Sequence, residues 1–196
     1  MNFEKVNEDF YLINDVLSLK NFLLVDDEFN PWYNKWIFNK RQPDRIDKYP
    51  CRGQIEKIHV SEGTIGYNFQ LIRVGTILKL HCEHFLKKKL EFNRIHTNIQ
   101  FFGQESTFHI DSDERESGKG WSFLIFVDTD WNTEHGGDFI CEIEHRQYRN
   151  VPFIPNNGVL FNSSLEHRGA APNSLCLHKP RKTIQFLFYE VDSIPN

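Results

Sequence analysis

The chain has 196 residues, 39% of them hydrophobic and 14% aromatic, and carries a formal net charge of −4. This composition is that of a packed globule and excludes a wholly disordered chain. The weak negative charge gives no overall attraction to nucleic acid or anionic lipid, although it allows a local basic channel. The length suits one well-buried core, so we expect a single domain over residues 1–196.

The four cysteines, Cys51, Cys82, Cys141 and Cys176, are scattered and show no Cys-x-x-Cys spacing. This pattern favours reduced thiols in a cytoplasm over a disulfide framework. Residues 1–9 are too acidic for a secretory signal. No hydrophobic run approaches the roughly 18 residues that a membrane helix needs. We therefore expect a cytoplasmic protein without a membrane span.

A short strand and two helices are predicted in the N-terminal half. Residues 10–13 have the composition of a strand. Hydrophobic residues at positions 16, 17, 19, 22, 23 and 24 fit one face of a helix, with Asn14 or Asp15 as its cap. Across residues 62–90, hydrophobic side chains recur at three- and four-residue steps, which predicts a second, longer helix.

Two segments are candidates for loops that contact a substrate. Residues 30–53 contain three prolines and predict a long irregular connection. A loop pinned to the core by Trp32 and Trp36 is the favoured interpretation, and a substrate-binding loop is the alternative. The charged, glycine-punctuated segment 113–120 fits a lid over a substrate and fits a solvated hairpin connection equally well.

The second predicted helix carries two further patterns. His81 and His84 lie close enough to bind a metal, but a pair of surface histidines is the commoner explanation. Lys87–Lys89 fits a solvated helix end whose charges complement the helix dipole. A nucleic-acid patch is the minority interpretation of the three lysines.

After residue 94 the hydrophobic pattern changes from helix to strand. Asn98 and Gln100 alternate with hydrophobic residues, and Arg181, Thr183 and Gln185 share one face of a later strand whose other face is mainly hydrophobic. Two strands with polar faces predict a sandwich with a polar interior. The N-terminal helices would then cover its hydrophobic outer face. The predicted fold class is mainly β, with a double-stranded β-helix (jelly-roll) core and flanking helices.

A His-x-Asp motif follows the first of these strands. The chain turns at Gly103 and continues to His109 and Asp111, whose side chains point to the same face in an extended segment. His167, at the end of another hydrophobic run, is the best candidate for a third ligand. Two imidazoles and one carboxylate on one side of a metal are typical of non-heme Fe(II) oxygenases. The alternative for His167 is a satisfied polar residue beside Glu166.

The order of these motifs resembles the 2-oxoglutarate/Fe(II)-dependent oxygenases, most closely the prolyl-4-hydroxylase-like branch, over about residues 94–190. The stretches that carry the resemblance are His109–Asp111, Trp121–Val127, Trp131–Asp138, Val151–Phe161, His167 and Arg181–Thr183. The resemblance implies the jelly-roll fold for residues 94–190, and residues 1–93 would provide a helical support and an N-terminal loop.

The resemblance also implies the cofactors and their ligands. Fe(II) would bind His109, Asp111 and His167, and 2-oxoglutarate and O₂ would be co-substrates, with ascorbate as an accessory. Arg181 would anchor the distal carboxylate of 2-oxoglutarate through its bidentate guanidinium, with Thr183 as a second donor. Lys182 is the rival anchor, but strand alternation directs it outward.

Two features bear on the reaction and the substrate. A carboxylate at Asp111 points to hydroxylation, because halogenating relatives have a small residue there. The prolyl-hydroxylase branch often has lysine at the anchor position and tyrosine on the strand before His-x-Asp. This chain has Arg181 instead, with Asn98, Gln100 or Phe102 near the tyrosine position. We include Asn98 and Gln100 among the residues expected to bind the co-substrate.

Three functions remain open from the sequence. The first is a dioxygenase that hydroxylates a peptidyl residue such as proline and releases succinate and CO₂. The second is a hydroxylase or demethylase of a nucleobase or small metabolite. The third is a jelly-roll protein that binds metal without redox chemistry. The pairing of Arg181 and Thr183 with a complete ligand set argues against the third.

Overall fold

A computed structural model of the chain describes residues 1–27, 29, 37–39, 54–61, 64–65, 69–111 and 119–191. Its two α-helices are α1 (Leu19–Asp27) and α2 (Phe69–Leu86). Its strands are β1 (Asn2–Lys5), β2 (Phe10–Asn14), β3 (Ile37–Asn39), β4 (Gln54–Ser61), β5 (Thr64–Ile65), β6 (Leu90–Gln100), β7 (Gly120–Phe126), β8 (Phe139–Glu144), β9 (Gln147–Val151), β10 (Gly158–Asn162), β11 (His167–Gly169) and β12 (Arg181–Glu190).

The described strands form two antiparallel sheets. The larger sheet has the order β1-β2-β10-β7-β12-β6-β4-β3, with β5 paired to β4, and the smaller sheet has the order β11-β8-β9. Strands that are distant in sequence lie side by side, and β12 pairs with β6 on one edge and β7 on the other. The expected mainly β architecture with two sheets is confirmed.

A hydrophobic layer on each side of the larger sheet holds the fold together. On the outer side, Phe22 of α1 and Leu71 of α2 belong to a buried cluster with Ile184 and Phe186 of β12. Between the two sheets, a second cluster joins residues such as Phe126, Phe139 and Phe161. The prediction that the N-terminal helices cover the hydrophobic face of the sheet is confirmed.

Helix α1 begins four residues later than Asp15, so the predicted cap at Asn14 or Asp15 is wrong. The intervening backbone is bound to a distant loop: Val16 N donates to the carbonyl of Asn156 at 2.9 Å, and Leu17 N donates to Asn156 Oδ1 at 2.9 Å. The helix begins at Leu19, after the residues that make these bonds. Ser18 Oγ accepts a hydrogen bond from Asn21 N at 3.4 Å in its first turn.

The long helix is shorter at both ends than the predicted span 62–90. Thr64–Ile65 forms strand β5 and pairs with β4, and residues 62–63 and 66–68 lie outside the described part. At its other end, Lys87 adopts a positive φ of 58°, which ends the helix before β6 starts at Leu90. The change to strand therefore comes before residue 94.

The N-terminal part contributes strands as well as the predicted support. Strands β1 and β2 extend one edge of the larger sheet, and β3 and β4 extend the other. The predicted irregular connection 30–53 is wrong at residues 37–39, which pair with β4. The rest of that segment, including Trp32 and Trp36, lies outside the described residues.

Candidate metal centre and adjoining cationic site

Two histidines that are far apart in the sequence are joined by their own backbones. His109 N donates to His167 O at 3.0 Å, and His167 N donates to His109 O at 2.9 Å. This is an isolated antiparallel bridge between the segment after β6 and the start of β11. The ring centroids of the two histidines are consequently only 4.5 Å apart.

Asp111 completes a group of three ligands. Its amide donates to the carbonyl of Ser163 at 2.9 Å, which fixes the segment beside β10. Its carboxylate oxygens lie 3.7 Å from His109 Nε2 and 3.3 Å from His167 Nε2. One ligand atom from each residue lies within 4.8 Å of the others, and no other such group was found among the described residues. The predicted His/Asp/His set is therefore brought together.

Both imidazoles are oriented with Nε2 toward the common point. His109 Nδ1 lies 2.9 Å from the carbonyl oxygen of Thr107, and His167 Nδ1 lies 2.8 Å from that of Leu165. A carbonyl oxygen only accepts hydrogen bonds, so each Nδ1 carries the proton and donates. Each Nε2 then has a lone pair available for a metal ion, as is usual for metal-binding histidines.

The carboxylate of Asp111 is ionised in this environment. Its side chain is only 3% exposed, and burial alone would raise its pKa. The neighbouring imidazoles of His167 and His109 and a hydrogen bond from Ser122 outweigh burial and hold the pKa of Asp111 well below its usual range. A buried negative charge beside two imidazole nitrogens suits a divalent cation.

The metal centre is closed on one side and open on the other. His167 is 4% exposed and lies against the rings of Phe139 and Phe161, at 5.5 and 4.6 Å between centroids. The side chain of His109 is 27% exposed. The centre therefore opens toward solvent on the His109 side, where a substrate would approach.

Arg181 lies in the same cleft, at the start of β12. It is 3% exposed, and its guanidinium carbon lies 5.4 Å from the centre of the Phe153 ring. Its Nε donates to the carbonyl of Gly137 at 2.6 Å, and one terminal nitrogen donates to Gln100 Oε1 at 2.7 Å. The other terminal nitrogen, Nη2, is buried and has no hydrogen-bond partner among the described residues.

Among the residues that the structure describes, no carboxylate forms a direct ion pair with Arg181. Burial lowers the pKa of the guanidinium to about 10, while the more distant charges of Asp138 and Glu105 raise it. The group stays protonated at neutral pH. A buried donor without a partner is costly, and an anion in the cleft would remove that cost.

Two glycines make room for this arginine. A Cβ on Gly169 would lie 2.8 Å from Arg181 Nη1 and 2.9 Å from Gln100 Oε1. A Cβ on Gly137, which has a φ of +82°, would lie 3.2 Å from Arg181 Cδ. The side chain of Arg181 therefore passes between Gly137 and Gly169, and a larger residue at either position would crowd it.

Polar pairs across β6 and β12 line the cleft between Arg181 and the metal centre. Arg181 lies opposite Gln100, Thr183 opposite Asn98, and Gln185 opposite His96. All six side chains line the cleft. Asn98 Oδ1 is buried and has no hydrogen-bond partner within the described residues. The predicted inward faces of both strands are thus confirmed.

The structure places the residues whose roles the sequence left open. Lys182 points to the outer side, where its Nζ lies 3.1 Å from Asp26 of α1, and it does not line the cleft. Phe102 is 49% exposed in the turn before Gly103, and it does not line the cleft. Asn98 and Gln100 lie on β6, near the position at which the prolyl-hydroxylase branch often has a tyrosine.

The other histidines and lysines that the sequence singled out lie away from this cleft. His81, His84 and His145 are exposed. The half-buried His135 ends a short 3₁₀ helix (Thr133–His135), and its ring accepts a hydrogen bond from the amide of Asn132, the residue that caps this helix. Gly136 closes that helix with a φ of 70°. Lys87–Lys89 follows the end of α2 at the surface. Residues 112–118, most of the predicted lid, lie outside the described part.

Sequence reasoning missed the residues that hold the ligands in place. Ser122, Gln185 and Gly169 contact Asp111 or Arg181 but were not assigned a role. One signal was available for Ser122: it is the one hydroxyl in the otherwise hydrophobic stretch Trp121–Phe126. Gln185 shares its strand face with Arg181 and Thr183, which was a second signal.

No protein-family model matches the chain, and no curated protein matches it in sequence. Solved structures do match. A prolyl hydroxylase from Trichoplax adhaerens, in complex with a hypoxia-inducible-factor peptide fragment, has a TM-score of 0.70 at 17% identity, over 94% of this chain and 84% of that one. A Pseudomonas putida prolyl-4-hydroxylase has a TM-score of 0.67 at 12% identity, over 94% of both chains.

A third similar structure performs another reaction. The non-heme α-ketoglutarate-dependent epimerase SnoN of nogalamycin biosynthesis has a TM-score of 0.66 at 13% identity, over 92% of this chain and 78% of that one. At these identities the similarity shows the fold. The chain shares the jelly-roll fold of these 2-oxoglutarate/Fe(II) oxygenase structures, so the expected fold is confirmed.

Proposed function

We propose that this protein is a Fe(II)- and 2-oxoglutarate-dependent dioxygenase that hydroxylates a C–H bond. In the overall reaction, R–H, 2-oxoglutarate and O₂ give R–OH, succinate and CO₂. One oxygen atom enters the product and the other enters succinate. Fe(II) held by two imidazoles and one carboxylate keeps open positions for a co-substrate and O₂, and it supplies the oxidative chemistry.

The observation that carries this proposal is the pairing of two unlike sites in one cleft. His109, Asp111 and His167 form a ligand set for a divalent metal. Arg181 lies in the same cleft with a buried nitrogen that lacks a hydrogen-bond partner among the described residues. A protein that only binds metal needs no buried guanidinium in the cleft. A dicarboxylate bound by both sites explains the arrangement.

Each polar residue has a role in this function. The Nδ1–H bonds of His109 and His167 keep the Nε2 lone pairs on the metal side. Arg181 binds the distal carboxylate of 2-oxoglutarate through Nη2. Thr183 and Asn98, which form the next cross-strand pair, provide further polar contacts to the co-substrate, and Gln100 orients the guanidinium.

A peptide, containing proline by analogy, is the first candidate for the substrate. The protein resembles prolyl hydroxylases in fold, and one of those structures contains a peptide fragment. The exposed side of His109 is the open approach for an extended chain. Segments 30–53 and 113–120 are the candidate contacts, with Trp32, Tyr33 and Trp36 able to stack on a proline ring.

A small metabolite or nucleobase is the second candidate. The tyrosine of the prolyl-hydroxylase branch is absent, and Asn98 and Gln100 provide amides at that place. SnoN, which has a similar fold, has a structure in complex with nogalamycin RO. An amide-lined wall would suit a substrate with its own polar groups.

The setting of the enzyme is also a proposal. The three cysteines that the structure describes, Cys82, Cys141 and Cys176, are buried and free, which favours a reducing cytoplasm. Neither described helix has the length and hydrophobicity that crossing a bilayer requires. Ascorbate would serve as an accessory reductant.

The test is succinate formation from 2-oxoglutarate with Fe(II) and O₂, using a panel of peptides, nucleosides, oligonucleotides and small metabolites. The proposal predicts slow succinate formation alone and faster formation with one class of compound, accompanied by a mass increase of one oxygen atom. The absence of succinate under every condition, from folded protein that binds metal, would leave the non-redox function.

A further inference from the structure

The carboxylate of Asp111 is held by two side chains that no ligand motif includes. Ser122 Oγ donates to Asp111 Oδ2 at 2.7 Å, and Gln185 Nε2 donates to the same oxygen. Gln185 Nε2 also lies 3.4 Å from Ser122 Oγ. The three side chains therefore form a closed triangle around one carboxylate oxygen.

Both donors belong to the rigid part of the fold. Ser122 is fully buried in β7, and Gln185 is 6% exposed in the neighbouring strand β12. Ser122 Oγ also lies 3.3 Å from Ser163 Oγ of the chain segment that fixes the Asp111 amide. A hydroxyl has one proton and two acceptor sites. Ser122 can thus donate to Asp111 while accepting from Gln185 and Ser163.

These contacts fix the orientation of the carboxylate between the two imidazoles. Oδ2 accepts both hydrogen bonds and lies 3.3 Å from His167 Nε2, while Oδ1 lies 3.7 Å from His109 Nε2. Without the two donors, the carboxylate could rotate about its terminal bond, whose torsion is soft. A rotated carboxylate would move its oxygens away from the point on which the two Nε2 atoms converge.

We propose that Ser122 and Gln185 are positioning residues that hold the carboxylate of Asp111 in its orientation between the two imidazoles. This inference rests on the proposed metal site and adds two residues to it. The rotation of Asp111 is restricted before the metal arrives, so less conformational freedom is lost on binding.

The experiment measures Co(II) binding and the visible spectrum of bound Co(II), which reports coordination geometry, under anaerobic conditions. Ser122→Ala and Gln185→Met each remove one donor while nearly preserving volume. Loss of an outer partner of a ligand typically weakens metal binding by about 10- to 100-fold. We expect at least about a tenfold rise in the Co(II) dissociation constant for each variant, together with an altered spectrum.

Ser163→Ala is the matched control. It removes an equally buried serine hydroxyl that contacts Ser122 but not the carboxylate of Asp111. We expect its Co(II) affinity and spectrum to match those of the parent protein. Thermal unfolding of all three variants separates a loss of stability from a loss of metal affinity. If Ser122→Ala does not fold, Gln185→Met decides alone.

Asp111→Ala distinguishes a failure of the proposed metal site from a failure of the proposed positioning role. If it binds Co(II) like the parent protein, the metal site itself is wrong. If it loses Co(II) while Ser122→Ala and Gln185→Met keep the parent affinity and spectrum, the metal site stands and the positioning role is wrong.

Discussion

Asp111 and Arg181 are both buried charges in one cleft, and the fold surrounds them differently. The carboxylate of Asp111 accepts hydrogen bonds from Ser122 and Gln185 and lies beside two imidazoles. Arg181 donates from two nitrogens, while the third, Nη2, has no partner in the described part of the chain.

The difference indicates what each end of the cleft receives. At the Asp111 end, the protein provides an oriented set of acceptor atoms, which a cation can join without rearrangement. At the Arg181 end, the protein holds the guanidinium in place through two of its nitrogens. The third nitrogen, Nη2, has no hydrogen-bond partner in the described part of the chain. A dicarboxylate that also chelates a metal is complementary to both ends. The following predictions change one end at a time.

The largest effect is expected at the metal end. His167→Ala removes a ligand that is 4% exposed and backed by Phe139 and Phe161. We expect no measurable Fe(II)-dependent succinate formation, with a nearly unchanged circular dichroism spectrum. His84→Ala, an exposed histidine on α2, is the control and should keep full turnover. Retained activity in His167→Ala would remove it from the ligand set.

The next largest effect is expected at the cationic end. Arg181→Ala should raise the half-saturating concentration of 2-oxoglutarate at least about tenfold, because truncating one partner of a buried charge pair costs about 2–5 kcal/mol. Metal affinity measured without 2-oxoglutarate should stay near that of the parent protein. If Co(II) binding falls as far as 2-oxoglutarate binding, Arg181 supports the metal end and is no separate anchor.

A smaller effect is expected from Gly169→Ala. The new methyl group would lie 2.8 Å from Arg181 Nη1 and 2.9 Å from Gln100 Oε1, so the pair must shift. Overpacking of this kind costs about 1 kcal/mol or more, so 2-oxoglutarate affinity should fall roughly fivefold. Titration with 2-oxoglutarate in the presence of Mn(II) measures this. An unchanged affinity would mean that the position of Arg181 is not critical.

The smallest effect is expected from Lys182→Ala, which is also the control for Arg181→Ala. Lys182 lies next to the anchor in sequence but pairs with Asp26 on the outer side of the sheet. Its loss should change the free energy of unfolding by at most about 1 kcal/mol, the usual value of such an ion pair. The 2-oxoglutarate requirement should not change. If it rises tenfold instead, the assignment of the two strand faces is reversed.

Alternation made much of this site predictable from the sequence. His109 and Asp111, two residues apart, face the same point, and Arg181 and Thr183 share the inward face of β12 because side chains alternate along a strand. Lys182 was directed outward by the same rule. These inferences need only the period of a strand and the chemistry of the side chains.

Contacts between distant segments could not be predicted in this way. Nothing in the local sequence of Ser122 or Gln185 shows that they meet at Asp111, and the glycines beside Arg181 have a role only once three segments are packed together. The start of α1 was missed for a similar reason. Asn156, which lies far along the chain, binds the backbone of residues 16 and 17 and delays the helix.

The most direct test of the central claim is the coupling between metal and 2-oxoglutarate binding. Calorimetric titration of 2-oxoglutarate would be performed without metal and with Mn(II), in the parent protein and in Arg181→Ala. Because binding coupling is reciprocal, Mn(II) should strengthen 2-oxoglutarate binding by the factor by which 2-oxoglutarate strengthens Mn(II) binding. We expect the tightest binding only with Mn(II) and Arg181 both present. A 2-oxoglutarate affinity that depends on neither would contradict the account.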